Sequence, residues 1–64
     1  MKNISVSRDG NTLTLTIDLS QEVGLSKSEK TMLVATTGGN EAVANVDGKQ
    51  VYLGLNLYKY VEGR

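Results

Sequence analysis

Neither cysteine nor histidine occurs among the 64 residues of this chain. Their absence removes disulfides, the thiolate nucleophile, the commonest general base and the usual transition-metal ligands. Aromatic residues are scarce: phenylalanine and tryptophan are missing, and three tyrosines remain. No sign of charge is in excess, since seven basic residues balance seven acidic ones. A long-range field that would draw in nucleic acid, a membrane surface or an acidic substrate is therefore lacking. No apolar run approaches the roughly 20 residues of a membrane span. The opening Met1-Lys2-Asn3-Ile4-Ser5 has no apolar core of a secretory signal. The expectation is a soluble, cytoplasmic protein with no membrane partner and no cofactor; the missing cysteines leave the redox compartment open. Residues 1–64 form one small domain. A chain of this length buries only about 60% of the surface its unfolded form exposes. Stability must then come from regular local structure or from self-association.

The most informative segment present is Lys49 to Val61. Val51, Leu53, Leu55, Leu57 and Val61 fall on one side of an alternating pattern. Tyr52, Gly54, Asn56, Tyr58 and Tyr60 fall on the other. A period of two marks a β-strand with one buried face. All three tyrosines accordingly point away from the side that forms the core.

Two Asp-Gly pairs predict hairpins, because a type I′ turn needs positive φ at both central positions. Asp9-Gly10 separates Ile4/Val6 from Leu13/Leu15/Ile17/Leu19. With those two residues as the loop, Arg8 pairs with Asn11, Val6 with Leu13 and Ile4 with Leu15. Asp47-Gly48 likewise pairs Ala44 with Val51 and Ala42 with Leu53. Thr31 to Thr37 is rich in β-formers and ends at Gly38-Gly39-Asn40, a third turn signal. A Gly-Gly loop there sets Ala35 against Ala42 and Leu33 against Ala44. Between these units, Ser20 caps a short helical turn that Gly24 ends, and Ser26/Glu29 have capping-box spacing. Gly54 bends the last strand, so that its first half pairs with the meander and its second half with the first hairpin. The predicted fold is all-β: a five-stranded, partly open barrel or sandwich. It combines a hairpin over about 2–19, a meander over about 31–61 and a short helical turn within 20–30. Glu62-Gly63-Arg64 are expected to fray.

Carboxylates are the remaining acid/base candidates, but turns occupy Asp9 and Asp47, a cap occupies Glu29, and Asp18 sits at an outward strand position. No convergent constellation of catalytic side chains emerges, and the reading is non-enzymatic. Gly24-Leu25-Ser26-Lys27-Ser28-Glu29-Lys30-Thr31 is similar to a phosphate-binding loop with one substitution. Glu29 stands where that loop needs a glycine, and a strand rather than a helix follows, so a polar connection is the better reading. Ser26 to Asn40 together with Gly54-Leu55-Asn56-Leu57-Tyr58 resembles a group of small uncharacterised bacterial proteins. These carry a Ser-Gly-Lys-Thr segment before a strand, a following Gly-Asn, and a Gly-Leu-Asn-x-Tyr segment near the end. The resemblance implies a compact β-rich protein and brings no activity with it.

Function then rests on the outward tyrosines. In the inferred register Val34 and Val43 lie beside Tyr52 on the meander's outer face. With Tyr58, Tyr60 and Asn56 they make a candidate protein-binding surface, and a second apolar sheet face invites self-association. The favoured expectation is an interaction or structural module that forms a homodimer or binds another protein. The rival is a single-stranded nucleic-acid binder, with bases stacked on the tyrosines and Lys2, Arg8 and Lys49 near the backbone. Zero net charge weighs against that rival.

Overall fold

The computed structural model describes residues 1–61, and the expectation for Glu62-Gly63-Arg64 lies outside them. Among the described residues the regular structure is entirely β. The strands are β1 (Ser5–Asp9), β2 (Thr12–Thr16), β3 (Gly24–Leu25), β4 (Thr31–Thr36), β5 (Glu41–Val46), β6 (Lys49–Leu53) and β7 (Asn56–Tyr60). They form antiparallel sheets ordered β1-β2, β3-β4-β7 and β5-β6, and none of these closes into a barrel or packs as a sandwich.

Residues 31–60 are best understood as one long ribbon folded back at Asp47-Gly48. Both loop residues have positive φ, 52° and 80°, as a type I′ turn requires. Val46 pairs with Lys49 and Ala44 with Val51, as expected. The expected Ala42–Leu53 pair is replaced: an extra residue at Val43 shifts the register, so Ala42 meets Tyr52 and Glu41 meets Leu53. Further along, β4 pairs with β7 rather than with β5. Thr31 meets Tyr60 and Leu33 meets Tyr58, and after a second bulge at Val34, Ala35 meets Leu57. The meander is therefore corrected, and so is the assignment of the last strand's second half to the first hairpin. Gly38-Gly39 is not a hairpin loop. It belongs to an insertion, Gly38-Gly39-Asn40, opposite Gly54, at the junction where the β4–β7 ladder gives way to the β5–β6 ladder. φ values of 69° and 114° at Gly38 and Gly39 show why glycines stand there.

Thr37 holds this junction. Its N–H donates to the Leu55 carbonyl at 3.0 Å, and its Oγ1 accepts from the Leu55 N–H at 3.0 Å. The same hydroxyl donates to the Gly39 carbonyl. Asn40 lies over Gly54, so that a Cβ added at Gly54 would meet Asn40 Oδ1 at 2.6 Å.

The first hairpin forms, but its loop is Gly10-Asn11. Asp9 pairs with Thr12, Arg8 with Leu13 and Val6 with Leu15, two residues out of the expected register. Of the loop residues, Gly10 alone has positive φ (61°), which fits the type II′ pattern with glycine at the first central position. A slip of two leaves every side chain on its original face, so Val6, Leu13 and Leu15 still share the half-buried side. Asn3, in the left-handed region at φ 61°, ends the strand upstream. It lets Lys2 exchange backbone hydrogen bonds with Thr36 at 2.8 and 3.1 Å.

No helical turn forms in 20–30. Asp18 instead accepts from the Ser20 N–H, making a turn closed by the Gln21 N–H to the Asp18 carbonyl. The Ser26/Glu29 pair makes a tight loop between β3 and β4, not a capping box: the Glu29 N–H donates to the Ser26 carbonyl, and Glu29 has φ 60°.

The resulting particle is long and thin, 45 × 20 × 16 Å, with a radius of gyration of 14.0 Å. A compact domain of this length has a radius near 11 Å. Among the described residues, only Val34 and Ala35 are buried apolar residues, and Thr37 is the buried polar one. Two small aliphatic side chains are a very slight core.

Candidate functional site

Cross-strand partners share a sheet face, so the β4–β7 register decides which side chains meet. Thr31 and Leu33 stand beside Tyr60 and Tyr58 on one face, and beyond the Val34 bulge Thr36 stands beside Asn56. Met32, Ala35, Leu57 and Lys59 take the other face. Of the first set all but Thr36, with Leu25 and Ser26 from the adjoining strand end, line an open groove of about 450 Å³. Tyr58 and Tyr60, two residues apart, meet edge-to-face with ring centroids 6.2 Å apart and planes at 84°. That geometry suits the ring quadrupoles and holds both rings upright along the groove. They remain 55% and 65% exposed, and Leu25 is 53% exposed. Asn56 is oriented from below, its Oδ1 accepting from Thr36 Oγ1 at 2.5 Å.

The predicted site is thus only partly assembled. Tyr58, Tyr60 and Asn56 come together in the groove. Tyr52, though 63% exposed, pairs with Ala42 on the outer face of β6, beyond the junction of the two ladders, and takes no part in the groove. Val34 corrects the expected outer patch, for it is buried at the bulge with its carbonyl accepting from Asn3 Nδ2 at 2.9 Å. Val43 is half-buried at the other bulge. The alternation holds in the middle of the segment: Leu53, Leu55 and Leu57 are half-buried, whereas Tyr52, Gly54, Asn56, Tyr58 and Tyr60 are exposed; Val51 and Val61, expected inward, are exposed as well.

The cations lie elsewhere. Arg8 donates from Nε to the Gly10 carbonyl (2.8 Å) and from Nη1 to the Asn45 carbonyl (2.9 Å), joining the tips of the two hairpins. Between those tips is a smaller apolar gap of about 270 Å³ lined by Leu13, Ala44, Val46 and Val51. Lys49 is at the turn of the long ribbon, and Lys2 is tied by its backbone to Thr36. Lys59, on the face away from the tyrosines, forms an ion pair with Glu22 at 2.9 Å. Asp18 is the acid with a displaced titration. The Ser20 hydroxyl (2.6 Å) and then the Ser20 N–H (2.9 Å) hold its carboxyl below the ordinary aspartate range. It lies outside the groove. Among the described residues no three acidic side chains gather where a metal ion would need them.

Leu25, Thr31 and Leu33 form the groove floor and wall that the sequence pattern did not point to. The pairing of β4 with β7 brings Thr31 and Leu33 beside the tyrosines, and the pairing of β3 with β4 brings in Leu25. Comparison with protein families, curated proteins and solved structures finds no match for this chain, so geometry carries the functional argument. No helix among the described residues is long and apolar enough to cross a membrane.

Proposed function

We propose that this chain is a non-enzymatic, self-associating interaction module that uses the Tyr58/Tyr60/Asn56 groove of the β3-β4-β7 sheet as its contact surface. One observation carries the reading: the accessible surface is 4905 Å². A folded monomer of 6.9 kDa exposes about 4000 Å² by the usual size scaling. The excess, about 900 Å², is close to the roughly 800 Å² that each partner loses in a standard protein interface. Tyrosine is also a residue that interfaces favour, because a rigid ring gives contact area at little entropic cost while its hydroxyl stays wet. The absence of a sizeable internal core gives association a direct benefit to stability.

The nucleic-acid reading draws less support. Backbone binding needs cations flanking the stacking rings. Lys2, Arg8 and Lys49 do not line the tyrosine groove, and Arg8 is engaged with two carbonyls. Sedimentation equilibrium across micromolar to millimolar concentration tests the proposal. A mass rising to a discrete oligomer is expected, and a monomer throughout the range would refute it. Addition of single-stranded oligonucleotide should leave tyrosine fluorescence unchanged; a salt-sensitive quench would favour the rival.

A further inference from the structure

Resting on the self-association reading, we infer that the partner is a second copy of this chain, and that two copies join by antiparallel pairing of β7 with β7. The backbone provides the first reason. The Val61 N–H donates to the Lys30 carbonyl at 3.1 Å, and the Thr37 N–H donates to the Leu55 carbonyl at 3.0 Å. Between these points an antiparallel ladder uses alternate residues of β7, so Leu57 and Lys59 turn their peptide groups toward β4. The peptide groups of Asn56, Tyr58 and Tyr60 turn outward. β7 is the terminal strand of its sheet, and those outward groups have no backbone partner among the described residues.

An edge of this kind is ordinarily blunted by proline, inward charge or a bulge in the edge strand itself. β7 has no proline and no bulge of its own, since both bulges lie on β4 and β5; its single charge, Lys59, stands on the Leu57 face and is neutralised by Glu22. The edge is open, and the exposed rings beside it supply the apolar area that backbone pairing alone lacks.

Charge and strand length select the register. With the twofold axis at Tyr58, each Tyr58 faces the partner's Tyr58, Asn56 faces the partner's Tyr60, and Leu57 faces the partner's Lys59. The whole strand is used, and three outward residues exchange about six backbone hydrogen bonds. Centring on Lys59 instead would oppose two like charges. Centring on Leu57 would run Tyr60 past the end of the partner's β7. The favoured register merges two small sheets into one continuous sheet and places four tyrosine rings side by side over the paired grooves.

Amide hydrogen exchange on the wild-type protein at a concentration where it is associated tests this. Asn56, Tyr58 and Tyr60 should exchange on the order of 100-fold more slowly than exposed loop amides such as Lys27, with the protection fading on dilution. Tyr58→Pro deletes an outward N–H that has no intrachain partner, and edge positions tolerate proline. This variant should keep a wild-type far-ultraviolet spectrum and sediment as a monomer. An associated wild type whose Tyr58 and Tyr60 amides exchange as fast as loop amides would overturn the β7 pairing while leaving self-association intact. A wild type that stays monomeric at millimolar concentration would overturn both. Should Tyr58→Pro not fold, the exchange pattern of the wild type decides alone.

Discussion

Thr37→Val is the sharpest test of how the junction between the two ladders of the ribbon is held. Valine nearly matches threonine in volume, so packing at this buried position is retained while the hydroxyl is lost. Two groups lose a partner: the half-buried Leu55 N–H, which donates to Oγ1 at 3.0 Å, and the Gly39 carbonyl, which receives the hydroxyl proton. Gly39 is exposed, and water replaces that bond cheaply. Leu55 N–H is shielded, and leaving a shielded donor unpaired costs about 1–3 kcal/mol. A total near 2 kcal/mol is expected, against a stability of about 3–10 kcal/mol for a domain of this size. The midpoint of thermal unfolding should fall by about 8–16 °C. Thr37→Ser keeps the hydroxyl and removes one methyl, at a cost of about 0.8 kcal/mol. Urea unfolding followed by circular dichroism, at one fixed protein concentration because association shifts apparent stability, should rank wild type above serine and serine above valine. A valine variant as stable as the serine variant would refute the assignment of the junction's stability to this hydroxyl.

Other consequences follow from single positions. Asn3→Ala should lose about 1–3 kcal/mol, because Nδ2 joins the Asp18 and Val34 carbonyls (2.8 and 2.9 Å) and the backbone is left-handed there; Asn3→Gly, which relieves only the φ penalty, should recover part of the loss in the same urea assay. Gly39→Ala forces a side chain to φ 114° and should cost about 1–3 kcal/mol, whereas Gly24→Ala, with an ordinary φ and no atom within 4 Å of the added Cβ, should be near neutral by the same measurement. Asp18 has a folded-state pKa below its unfolded one, so its contribution is present above the ordinary aspartate range and is lost as pH falls through the folded value; a carboxyl titration by NMR should show the low midpoint in wild type and its return toward normal in Ser20→Ala.

Several features of the fold were readable from short stretches of residues. The Asp47-Gly48 turn adopts the two positive φ values its composition demands, and Ala44 meets Val51 accordingly. The exposure of Tyr52, Tyr58 and Tyr60 follows from alternation with Leu53, Leu55 and Leu57. At the first hairpin the loop moves by one residue, to Gly10-Asn11, and the register by two, since Gly10 satisfies a type II′ turn as readily as a type I′ one. What escaped was any feature that depends on two distant segments. Gly38-Gly39 has the composition of a hairpin loop, yet β7 outcompetes β5 for β4, and the glycines become an insertion at the junction of the two ladders. The bulges at Val34 and Val43 each add one residue, which puts the residues before and after them on opposite phases of the alternation. Val34, the extra residue of its strand, is buried where an outer position was expected. The same pairing set Leu33 and Thr31 beneath the tyrosines.

Local φ preferences and a two-residue period were enough to determine an all-β chain, its Asp47-Gly48 turn and the face on which its aromatic rings stand. Tertiary structure alone decided which strands are neighbours, where Thr37 and the two glycines join the two ladders of the ribbon, and that Tyr58, Tyr60 and Asn56 share a groove from which Tyr52 is absent. The reason is physical: a turn's conformation is set by the few residues in it, whereas the choice of strand partner is a competition between segments far apart in the chain.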